Sequence, residues 1–134
     1  MTTHVSSLEL SRRLKELGVK QESQFYLVRE IGKKAILVQA KKNWPINLTK
    51  SRYGTNESRY DDIFSAFLVS ELGEMLPTRY ASHRFKLGGE LRGQISWLCY
   101  ARGKTEDPCV DADTEADARA KILIYLIEQG IVKP

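Results

Sequence analysis

The chain has 134 residues, 42% of them hydrophobic and 28% charged, with a net charge of +4. These are the proportions of one globular domain that can bury a core without staples, so residues 1–134 are expected to form a single domain. No apolar run approaches the ~20 residues that a membrane-spanning helix needs.

The first predicted element is a helix. Ser6 and Glu9 have the spacing of a capping box, and Val5 and Leu10 that of a hydrophobic staple. Leu10, Leu14 and Leu17 form an i, i+4, i+7 stripe that Gly18 ends. Next, "QFYLVREIGKKAILVQA" reads as a hairpin around a type II′ turn at Gly32-Lys33. That turn sets Leu27 opposite Val38, Phe25 opposite Ala40, and Val28 opposite Leu37 on the other face. Residues 41–62 carry no period and read as a long basic loop. "IFSAFLVSELGEMLP" begins extended, then gives a short helix capped by Ser70 and stopped by Pro77.

A second hairpin is expected from "RYASHRFKL" and "GQISWLCYA". Its core face would carry Ala81, His83, Phe85, Ile95, Trp97 and Cys99, leaving Tyr80, Ser82, Arg84 and Leu98 on a wetter face. A last helix should run from about Glu115 to Gln129, closed by Gly130. The order α-β-β-α-β-β-α predicts an α+β fold, with about four antiparallel strands in one sheet and helices on a face.

The densest cluster of ionisable groups is "DADTEAD", Asp111 to Asp117. It starts like a calcium loop, then fails: Ala116 stands where the turn needs Gly, and Ile122 where a bidentate Glu belongs. A helix start explains it better. Thr114 and Asp117 have capping spacing, and Asp113, Glu115 and Asp117 sit at the positive end of the helix dipole. Glu115–Arg119 and Asp117–Lys121 have the spacing of i, i+4 ion pairs. No metal is expected there, and so polar a helix mouth does not desolvate an acid for catalysis.

His83 and Cys99 on one sheet face raise a Cys–His nucleophile, but apolar neighbours favour a core histidine. Cys99 and Cys109 are too few for a disulfide framework and read as reduced, partly buried thiols. "KLGGELRG" is a hairpin turn rather than a phosphate loop, and no cofactor is expected.

Two surfaces remain. From Arg29 to Arg59, eight basic residues face two acidic ones. Lys41, Lys42, Lys50, Arg52 and Arg59 alternate there with Trp44, Tyr53 and Tyr60, cations and aromatics that suit single-stranded nucleic acid. The last helix is apolar nearly all round at "ILIYLI", so it is either buried or shared with a partner. Ile122, Tyr125 and Leu126, with Tyr26 of the first hairpin, are the expected contact residues for a protein partner or a second copy.

"SLELSRRLKELGVKQESQFYLV", "SELGEMLP" and "TEADARAKILIYLIEQG", in that order, resemble a group of small uncharacterised proteins of bacteria and their phages and prophages. The shared motifs are helix starts and core stripes. The resemblance implies a bacterial cytoplasmic setting and a mobile-element origin, and it assigns no site residue. The absence of a basic segment followed by an apolar one at the start also predicts a cytoplasmic chain. The sequence thus reads as a non-enzymatic protein acting by protein–protein contact, self-association included. Nucleic-acid binding through 41–60 is the alternative.

Overall fold

The computed structural model describes residues 4–30, 32–40, 60–78, 80–86, 95–101 and 109–134. Among these are α1 (Leu8–Glu16), β1 (Phe25–Glu30), β2 (Ile36–Gln39), β3 (Tyr60–Ala66), α2 (Val69–Met75), β4 (Tyr80–Lys86), β5 (Ile95–Ala101), β6 (Cys109–Ala112) and α3 (Glu115–Glu128). The class is α+β with antiparallel sheets. The single four-stranded sheet is replaced by two three-stranded sheets, ordered β2-β1-β3 and β4-β5-β6. Each expected hairpin gains a third strand. β3 takes in Tyr60 to Asp62, the end of the segment expected to be a loop, and β6 precedes Thr114.

α3 is the spine of the larger of two hydrophobic cores. It packs across all three strands of the second sheet and against α1 and α2. Ala116, Ala118, Ala120, Ile122 and Leu126 are fully buried along it, and Leu123 nearly so. Its small residues let neighbours approach closely, and its branched residues fill the space between them. Leu14 of α1, Leu72 of α2 and Cys99 of β5 belong to the same core. Thr114 caps α3 as expected, its Oγ1 accepting from the Asp117 N–H at 3.1 Å. Gly130 closes it at φ 74, where the Ile131 N–H donates to the Leu126 carbonyl.

α1 keeps its stripe, but Ser7 is its N-cap rather than Ser6, and makes no side-chain cap bond. Ser6 faces inward. Its Oγ accepts from the Phe67 N–H at 3.0 Å and lies 2.7 Å from the Ser11 hydroxyl. Val5 pairs with Leu68, so the N-terminal segment is stitched to the junction between β3 and α2. The N-cap of α2 is Leu68, not Ser70, and Glu71 accepts from the Leu68 N–H at 2.8 Å. The second Glu71 oxygen accepts from the Gln24 N–H, fixing the entry to β1.

Both hairpin registers differ from expectation by one residue. Tyr26 pairs with Val38, and Leu27 with Leu37. β2 begins only at Ile36, beyond where a two-residue turn would place it. Gly32 does take the positive φ of 75 that its position suggested. In the second hairpin Ser82, not His83 or Ala81, lies opposite Cys99. A one-residue slip turns every side chain of a strand over. Tyr80 and Ser82 therefore join Trp97 and Cys99 on the face towards α3, and His83 is exposed on the other. The inward Ser82 is tolerated because α3 supplies polar partners, Glu115 and Arg119.

In the first sheet Tyr26 and Val28 are buried, with Val38, Ala40 and Ile63 around them. The Tyr26 hydroxyl donates to the Gln21 carbonyl at 3.0 Å. Burial pushes its phenol above the ordinary tyrosine pKa. The neutral form is thus favoured in the fold. This contribution is complete below the unfolded phenol's pKa of ~10 and is lost as pH rises through the higher folded value. Tyrosinate absorbance during an alkaline titration is expected to show one tyrosine ionising after the rest. Tyr26→Phe should remove that late step; if the step survives the substitution, it belongs to another tyrosine.

Candidate functional site

The expected partner surface on the last helix is largely absent as a surface. Ile122 and Leu126 are fully buried and Tyr26 is 1% exposed. "ILIYLI" is apolar all round because α3 lies between a sheet and two helices of its own chain. Tyr125 is the exception at 40% exposed, and with Ile36 and Ile131 it is a large apolar side chain left in water.

Tyr125 stands one turn beyond Lys121, and beside Lys121 an open groove of about 320 Å³ runs between α1 and α3. Leu10 and Ile124 are its apolar lining. Glu9, Glu16, Arg12 and Arg13 line it from α1. Arg13 also reaches Glu128 at 3.5 Å, linking the two helices. The sequence showed Leu10 only in the stripe of α1 and Ile124 only within the apolar run of α3. The groove exists because α1 packs on α3, and no local signal announces a contact between elements about a hundred residues apart.

The "DADTEAD" acids are distributed among separate tasks. Asp111 lies in β6. Asp117 Oδ1 accepts from the Ser7 N–H at 2.8 Å, joining the starts of α1 and α3. Glu115 accepts from the Ser82 hydroxyl at 3.0 Å. The two i, i+4 ion pairs are not the contacts these residues make. Arg119 donates instead to the Val69 carbonyl and to Ser82 Oγ, and Lys121 to the Asp111 carbonyl. A Cβ at Gly73 would meet the Arg119 guanidinium and displace it from the Val69 carbonyl. No group of three His, Cys, Asp or Glu side chains among the described residues could hold a metal ion. Beside this helix start, His4, Trp97, Asp113 and Glu115 border a depression of about 340 Å³.

Cys99 is buried on the face towards α3, and His83 is exposed on the opposite face of the same sheet. Their register keeps them apart, so they do not form a nucleophile and base. The expected nucleic-acid residues Lys41, Lys42, Trp44, Lys50, Arg52, Tyr53 and Arg59 lie outside the described residues, and of Tyr60 the structure describes the strand position alone. The described flanks are informative. β2 ends beside Phe25 and β3 begins beside Glu30, at opposite ends of β1. Exposed Lys33 and Lys34 occupy the turn that leaves the Glu30 end.

Among the described residues no helix is long and apolar enough to cross a membrane. No family model matches the chain, and neither does any curated protein or solved structure.

Proposed function

We propose that this is a non-enzymatic protein that works by protein–protein contact, through self-association across the groove between α1 and α3. Tyr125 carries the reading: it is a large aromatic ring 40% exposed on a helix whose other large apolar side chains are buried or half-buried. Tyrosine is among the side chains that anchor interfaces, since it brings a large rigid area at low entropic cost. The groove reaches Lys121, one helical turn before Tyr125, and is lined by apolar Leu10 and Ile124 and by side chains of both charge signs. In a two-fold dimer the same patch meets itself, so a mixed lining lets each acid face a base of the second copy. Separation of Cys99 from His83 supports the non-enzymatic part. The setting we propose is a phage-borne protein in the bacterial cytoplasm, which the resemblance of the three quoted segments supports.

Light scattering over a concentration series tests this. The expected mass is twice the 15.3 kDa of the chain. Tyr125→Glu should weaken the dimer by roughly 2 kcal/mol, about 30-fold in dissociation constant, with the circular dichroism unchanged. A wild-type chain that stays monomeric at the highest concentration reached would sink the proposal.

The second reading is single-stranded nucleic-acid binding through residues 41–60. It is favoured by the exposed Lys33 and Lys34, which extend the basic run to the end of β1 where β3 begins. If the five expected cations neutralise five phosphates, log affinity should fall with log salt at a slope of roughly −3.5 to −4.5. No binding of a labelled oligonucleotide at low salt would remove this reading.

A further inference from the structure

We draw no further inference here: the strongest candidate, the depression between His4, Trp97 and the Asp113–Glu115 start of α3, rests on a helix N-terminus with an acidic cluster, and nothing else in the structure points to a ligand for it.

Discussion

Leu126→Ala and Ile122→Ala are each expected to lower the unfolding free energy by roughly 2–5 kcal/mol. Both side chains are fully buried, between a sheet on one side and two helices on the other. Close neighbours on both sides cannot collapse onto an alanine without separating from one another, so a cavity remains. A domain of this size is stable by about 5–15 kcal/mol, and either change removes a large part of that. The measurement is urea unfolding, with a lower midpoint and an unchanged slope. Tyr125→Ala is the contrast. Its ring is part-exposed at the surface of the same helix, and its loss should alter stability by under about 1 kcal/mol while altering association. The opposite pattern, with Leu126→Ala stable but monomeric, would mean that the inner face of α3 is an interface between copies rather than a core.

That contrast shows where the sequence was legible. The apolar stripe of α1, its stop at Gly18, the Thr114 cap and the Gly130 closure are local signals, and each is present in the fold. All-round apolarity announced that α3 is covered twice, but not that the chain itself supplies both covers. Sheet register was not legible. A strand such as "YASHRFK" has apolar residues at both parities, so its pattern does not choose a face. Glu115 and Arg119, more than thirty residues away, supply the partners that let Ser82 face inward. β6 was missed because a four-residue strand with one large aliphatic residue, Val110, has no period of its own. The groove depends on α1 meeting α3, a pairing anchored by Asp117 on the Ser7 N–H across 110 positions.

Ser6 offers the sharpest test of a tertiary role against a local one. As a helix cap, Ser6 would act on α1 alone, and its loss would cost about 0.5–2 kcal/mol whatever stands at Ser11. The structure instead places it in a closed set of bonds. The Phe67 N–H donates to Ser6 Oγ, the Ser6 hydroxyl can then donate to Ser11 Oγ, and Ser11 donates to the Ser6 carbonyl at 3.2 Å. Ser6 and Ser11 are 1% and 0% exposed, so water cannot replace a missing partner. Ser6→Ala leaves the Phe67 N–H unpaired and should cost roughly 1–3 kcal/mol. Ser11→Ala should cost less, about 1 kcal/mol, because Ser6 can still accept from Phe67. The double substitution should differ from the sum by at least ~0.5 kcal/mol, as expected for residues sharing one network. Ser7→Ala, at the N-cap whose side chain makes no cap bond, should change stability by less than about 0.5 kcal/mol. Urea unfolding of the four variants and the wild type decides between the roles. Strict additivity of Ser6 and Ser11, or a Ser7→Ala loss as large as that of Ser6→Ala, would return Ser6 to a capping role and leave the N-terminal stitch without its proposed bond.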